Sequence, residues 1–227
     1  GHRRSVLALC AAAVTAAVVL VVLVIRAQVS APEPHAAGRI DPPTRTSRSA
    51  GSADPGPSAS DGAGSGPAPL GPSRPLTISI PAIGVHSPVN PIGLATDGTL
   101  AVPQPGPHLD QAAWFDNSPT PGQPGPAIIE GHVDSTQGPS VFFRLGDMKP
   151  DDQILVRRAD GRMLTFHVDA VRDFLKTRFP TTLVYGSPRL DRSTLRLITC
   201  SDFDASIHHH VGNEVVFAHL VHSTGPS

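Results

Sequence analysis

Asp152–Val171 reads DQILVRRADGRMLTFHVDAV. Two short runs of Ile, Leu, Val, Phe and Thr flank Arg158–Gly161, RADG, and Asp-Gly between alternating apolar runs favours a tight hairpin turn. The stretch therefore predicts two antiparallel strands. The same grammar recurs on both sides of it, in LTISIP (76–81), GTLAVP (98–103), PAIIEGHV (126–133), TLRLITC (194–200) and NEVVFAHLV (213–221). Each run is short and is bounded by Pro, Gly, Asp or Asn, which punctuate strands. The expected fold class is all-β, a barrel or sandwich. Helix is confined to short candidates, SVFFRLGDM (140–148) and DFLKTRF (173–179). In the last run Val215, Phe217 and His219 share one face and Val216, Ala218 and Leu220 the other, so both faces of that strand are expected to be largely buried.

Upstream of residue 76 the composition changes. Between Ala27 and Pro75, 34 of 49 residues are Ala, Gly, Pro or Ser, too little apolar surface to offset the entropy of ordering the chain. A flexible coil of this length spans about 35–42 Å root-mean-square. Before it, Ser5–Ile25 is uncharged and continuously apolar, about the length a helix needs to cross a bilayer. A cleaved signal peptide is the rival, but its apolar core is about 7–15 residues long and precedes a small-residue cleavage site. The expected organisation is a short cytoplasmic N-terminus (1–4), a transmembrane helix (5–25), a disordered tether (26–75), a folded domain (76–222) and a tail (223–227). His2, Arg3 and Arg4 ahead of the apolar run and a single Arg26 behind it favour the N-terminus inside and the domain outside the cytoplasm.

Residues 76–222 hold 11 Lys/Arg and 15 Asp/Glu, a net charge of −4 with neutral histidines. That balance lacks the basic stripe of a nucleic-acid-binding domain. Three adjacent histidines, His208, His209 and His210, are metal ligands by type, but neighbours on a strand face opposite ways and do not converge on one ion. No metal or other cofactor is expected.

Only Cys10 and Cys200 exist, and Cys10 lies within the expected membrane helix. The domain thus carries one thiol without a disulfide partner. Cys200 is either a small buried filler at a strand end or a nucleophile, which needs partial exposure and a nearby base or positive charge. In LRLITC, alternation sets Leu195, Leu197 and Thr199 on one face and Arg196, Ile198 and Cys200 on the other, with Cys200 where the strand opens into SDFD. Of nine histidines in the domain, His132 leaves an apolar strand in the same way, after PAIIEG.

AIIEGHVDSTQGPSVFFRLGDMKPDDQILVRRADGRMLTFHVDAV, followed by FPTTLVYG and LRLITCSDFD, resembles the sortases, in particular the class F-like group of actinobacterial type. The resemblance spans the whole expected domain and the order anchor, tether, catalytic domain. It implies a closed β-barrel of about eight strands with short helices. It also implies a membrane-anchored cysteine transpeptidase that cleaves a sorting motif on secreted proteins at a Thr-Gly bond. The new carboxyl end then passes to an amine of a cell-wall precursor or another protein. GHVDS matches the family histidine at His132, and LITC matches the family cysteine at Cys200. Cys200 would form the thioester, with His132 as acid and then base. A hydrolase using water, or an inactive sortase-like binding domain, shares these features. Sortases also carry an arginine some nine positions past the cysteine, whereas this chain has no Arg or Lys after Arg196. Spacing back from GNEVVFA puts His208 in that place, as an oxyanion or substrate-positioning donor; counting forward from Cys200 reaches His209. A solvated loop is the other reading of HHH.

Overall fold

The computed structural model describes residues 67–186 and 191–225. The ordered contacts begin ahead of the expected domain boundary. Leu70 packs against the core, its amide donates to Gly122 O (2.8 Å), and the Ser73 amide donates to Thr120 Oγ1 (3.0 Å). The last residues assigned to the tether are therefore part of the fold. The expected anchor, Ser5–Ile25, and most of the expected tether lie outside the described residues. No helix among the described residues is long and apolar enough to cross a membrane.

The strands are β1 (Pro75–Ile80), β2 (Val85–Ile92), β3 (Ala112–Phe115), β4 (Gly125–Glu130), β5 (Asp134–Ser135), β6 (Gly138–Pro139), β7 (Gln153–Arg158), β8 (Met163–Leu175), β9 (Ser193–Asp204) and β10 (His209–Thr224). Eight of them close into a barrel in the order β1-β2-β3-β4-β9-β10-β8-β7, while β5 and β6 form a separate two-stranded hairpin. The all-β closed eight-stranded barrel with few helices is the expected fold. Among the described residues one short helix, α1 (Thr181–Tyr185), and three 3₁₀ turns, Pro81–Ile83, Leu145–Asp147 and Lys176–Arg178, interrupt the strands. Both helical candidates shrink accordingly: 140–148 keeps a single 3₁₀ turn, and 173–175 remains in β8 before the turn at Lys176.

The RADG hairpin forms as expected. β7 pairs antiparallel with β8, Arg157 opposite Met163, and Gly161 takes φ +81°, a conformation that costs glycine little. Arg158, almost fully buried, donates to Pro121 O (2.6 Å), to Gly71 O (2.8 Å) and to Asp160 Oδ2 (2.7 Å). One guanidinium thus ties the hairpin to the lead-in at 70–73.

Two expectations differ. GTLAVP forms no strand, only an isolated bridge between Leu94 and Leu100; Leu100 instead packs on a surface cluster. The strand VHSPVNPI (β2) was unexpected because Pro88 and Pro91 remove two ladder donors. A side chain takes part in the pairing with β3: the Ala112 amide donates to Ser87 Oγ (3.0 Å).

Strand alternation divides the apolar residues between two clusters. Ile78, Ile80, Ile154, Phe166, Leu195, Leu197, Val216 and Ala218 fill the barrel. Ile128, Ile198, Val215 and Phe217 face outward and are covered by Val184 of α1, with Leu100, Phe115, Phe174 and Phe179 around them. Phe174 meets Phe179 and Phe217 edge-on, with centroids at 6.1 and 6.5 Å, contacts of about 0.5–1.5 kcal/mol each beyond burial. That second cluster explains why β9 and β10 are apolar on both faces. It also supplies a firm floor on the face where Cys200 emerges.

Candidate active site

β4 and β9 run parallel in an unbroken register from Gly125 opposite Ser193 to Glu130 opposite Ile198. Two residues further along each strand come His132 and Cys200. The Gly131 amide donates to Ile198 O (3.1 Å), and Thr199 Oγ1 donates to Gly131 O (2.8 Å), so the pairing persists past the end of β4. Adjacent strands lie about 4.8 Å apart; the register brings His132 and Cys200 level at the same end of the barrel.

The backbone before His132 is tightly held. A Cβ on Gly131 would sit 2.5 Å from Val141 Cγ1 and 2.8 Å from Phe142 Cδ2, and Phe142 is fully buried. The Phe142 amide in turn donates to His132 O (3.0 Å). The half-buried imidazole has its Nε2 2.8 Å from Pro103 O. A carbonyl oxygen only accepts, so Nε2 carries hydrogen and the neutral ring keeps its lone pair on Nδ1. That nitrogen is the one left for proton transfer.

Cys200 is a free, half-buried thiol. Its sulfur is approached by the Lys176 ammonium, with Nζ 3.5 Å from Sγ. Lys176 opens the 3₁₀ turn that follows β8, and nothing in its spacing from Cys200 or His132 marks it in the sequence. Across the sheet, Cys200 faces Asn213 of β10.

His208 stands at φ +51° in the turn between β9 and β10, exposed. His209, the first residue of β10, pairs with Asp204, four positions from the Cys200 level, or about 14 Å at 3.4 Å per residue. The structure therefore brings His132 and Cys200 together and leaves His208 at the far end of the hairpin. The third histidine is a structural link. His210 Nε2 lies 3.2 Å from Asp134 Oδ1, and its ring meets Phe203 edge-on at 5.2 Å, which ties the start of β10 to the segment after His132.

Two buried carboxyls lie on the strands around the pair, Glu130 on β4 and Glu214 on β10. Glu130, two residues before His132, is 7% exposed, its Oε1 has no partner, and burial pushes its pKa up to about 8. Tyr185 of α1 lies close enough that, after burial, the Glu130 charge raises its pKa as well. Glu214, opposite Thr199, is likewise pushed up to about 8 by burial and then by Asp173, Asp147 and Asp202. Arg196, four residues before Cys200, lies over the Phe217 ring at 4.6 Å and donates to Leu195 O (3.0 Å). Burial brings its pKa down to about 10. Its guanidinium is thus committed to the outer cluster. No group of three His, Cys, Asp or Glu suited to a metal ion occurs among the described residues.

A family model described as "Sortase domain" matches residues 78–221, more than half of the chain. Sortase A from Corynebacterium diphtheriae is similar in structure, with TM-score 0.50 and 26% identity over 66% of this chain and 61% of that one. Its lid mutant gives the same score and identity, over 66% of this chain and 72% of that one. Sortase C from Streptococcus pneumoniae shares the fold at TM-score 0.51 and 17% identity, over 68% of this chain and 70% of that one. The chain thus spans less than two thirds of the first of these relatives. No curated protein sequence matches it.

Proposed function

The chain belongs to the sortase family, and from that premise we propose that it is a cysteine transpeptidase of the class F-like group, acting through Cys200 and His132. The observation that carries this reading is the unbroken β4–β9 register, which brings a half-buried thiol and an imidazole with an available Nδ1 to the same strand ends.

In the proposed reaction the Cys200 proton passes to His132, and the sulfur attacks the scissile carbonyl of a sorting motif. A C–S bond forms as the carbonyl π bond opens. Collapse of the tetrahedral intermediate breaks the C–N bond, and the His132 proton leaves with the amine. An incoming amine then attacks the thioester, His132 takes up its proton, and Cys200 departs as the thiolate. Histidine suits both roles because its ordinary pKa near 6.5 lets it hold or release a proton at neutrality.

The substrates in this reading are secreted proteins bearing a sorting motif, and the acceptor is an amine of a cell-wall precursor or another protein. Ser5–Ile25 would anchor the chain in the membrane as a single pass, with the barrel outside the cytoplasm. Incubating the full chain with a library of Thr-Gly peptides and an amine tests the chemistry by mass spectrometry. An acyl adduct on Cys200 and an amidated product are expected; full turnover by Cys200→Ala would overturn the assignment. N-terminal sequencing tests the anchor, which a mature start near Ala27 would exclude.

A further inference from the structure

We infer that Lys176 is the cationic residue of this active site, pairing with the Cys200 thiolate before acylation and donating to the substrate carbonyl oxygen as it becomes an oxyanion. The inference rests on the sortase reading above and deepens it. In the resembled family this duty belongs to an arginine downstream of the cysteine, and this chain has no Arg or Lys after Arg196.

The geometry points upstream instead. Lys176 Nζ is 3.5 Å from Cys200 Sγ. Asn213, directly opposite Cys200, is neutral; His208 sits in the exposed turn beyond the strand ends; Arg196 lies over Phe217; and the Arg172 backbone stands two residues from the Cys200 level, opposite Val215.

The placement of Lys176 follows from the fold. β8 runs alongside β10 as far as Leu175, opposite Gly212, and Gly212 is opposite Ser201 on the other side. The chain leaving β8 is therefore one strand removed from Cys200. The 3₁₀ turn at Lys176–Arg178 then redirects it, and Phe179 fixes that turn by meeting Phe174 edge-on. Lys176 itself is exposed, so its side chain is free to follow charge from sulfur to oxygen.

The chemistry fits an ammonium. It is a compact point charge with three donors, so one N–H can stay on sulfur while another meets the oxyanion. As the Cys200 proton moves to His132, the thiolate forms beside a positive charge already at hand. When the C–S bond forms, the negative charge moves to the carbonyl oxygen, and Lys176 keeps its proton throughout.

The test separates this inference from the reading it rests on. With the full chain in detergent micelles, the rate of iodoacetamide alkylation is followed against pH on the Cys200 peptide by mass spectrometry, which sets Cys10 aside. No substrate is needed. Lys176→Met should move the alkylation midpoint upward, the direction expected when an opposite charge within about 4–6 Å is removed. Lys176→Arg should restore most of it, and Asn213→Ala and His208→Ala should leave it in place. With a reacting peptide, Lys176→Met should lower the acylation rate by about 10²–10³, as loss of one oxyanion donor does, with little change in KM. An unmoved midpoint and an unmoved acylation rate in Lys176→Met would overturn the inference, as would finding the shift in Arg172→Met or His208→Ala instead. A Lys176-dependent midpoint in a chain that never acylates would support the ion pair and remove the transpeptidase reading.

Discussion

Replacing Glu130 by glutamine should take most of one proton out of the folding reaction. Glu130 is held at a pKa of about 8 by burial, against an ordinary value of 4.5. Between those limits the folded protein holds a proton that the unfolded chain releases. Its contribution to stability is therefore complete below pH 4.5 and is lost as pH rises through 8. At about 1.36 kcal/mol per pKa unit, the whole window is worth at most about 5 kcal/mol, and at pH 6.5 about 3 kcal/mol has already gone. Glutamine keeps the shape and cannot ionise. Urea unfolding of the full chain in detergent, repeated from pH 5.5 to 7.5, measures the slope of stability against pH. The wild-type slope should be negative, and Glu130→Gln should make it shallower by about 1.4 kcal/mol per pH unit. Glu214→Gln should remove a similar increment, because Glu214 is also pushed up to about 8. A Glu130→Gln variant with the wild-type slope would show that the carboxyl is ionised in the fold or hydrogen-bonded to something that holds its charge.

Other perturbations probe the scaffold around the site. Gly131→Ala should cost about 1–3 kcal/mol by overpacking, since its Cβ would meet Val141 and the buried Phe142. It should also slow acylation more than Cys200 alkylation, because the displaced residue is His132; equal effects on both would refute this. Arg158→Met should lower stability by about 3 kcal/mol in urea unfolding, whereas Asp160→Asn, whose side chain is 34% exposed, should cost much less. A chain beginning at Pro75 should unfold at lower urea than one beginning at Pro67, because it lacks the Leu70, Gly71 and Ser73 contacts; identical midpoints would show that this lead-in adds nothing.

What was legible in the sequence was local. Asp-Gly between alternating runs specifies a hairpin by turn chemistry alone, and β7 and β8 follow from it. β10 was legible as a strand with apolar residues on both faces, which the inner and outer clusters explain, and β9 as an alternation of Leu195, Leu197 and Thr199 with Arg196, Ile198 and Cys200. β2 was hidden because its prolines read as loop, and the bond from Ala112 to Ser87 that helps join it to β3 crosses 25 positions. GTLAVP misled for the opposite reason. Apolar residues mark burial before they mark strand, and Leu100 is partly buried as cover on the outer cluster.

The site divides along the same line. His132 and Cys200 each stand at the mouth of an apolar strand, a position that fits filler as well as chemistry until the family resemblance singles them out, and their meeting depends on a parallel pairing between strands 68 positions apart, which no local pattern encodes. Counting along the hairpin from Cys200 to find the donor assumes that the charge arrives on the strand that follows. In the fold β10 lies between β8 and β9, so the residue leaving β8 reaches the thiol from the other direction. Lys176 precedes Cys200 by 24 positions and sits in an exposed turn of ordinary composition. Two chain segments lie beside the strand end bearing the thiol, the start of β10 and the turn that leaves β8. A cation on the turn after β8 therefore stands beside the thiol without any signal in the hairpin that follows Cys200.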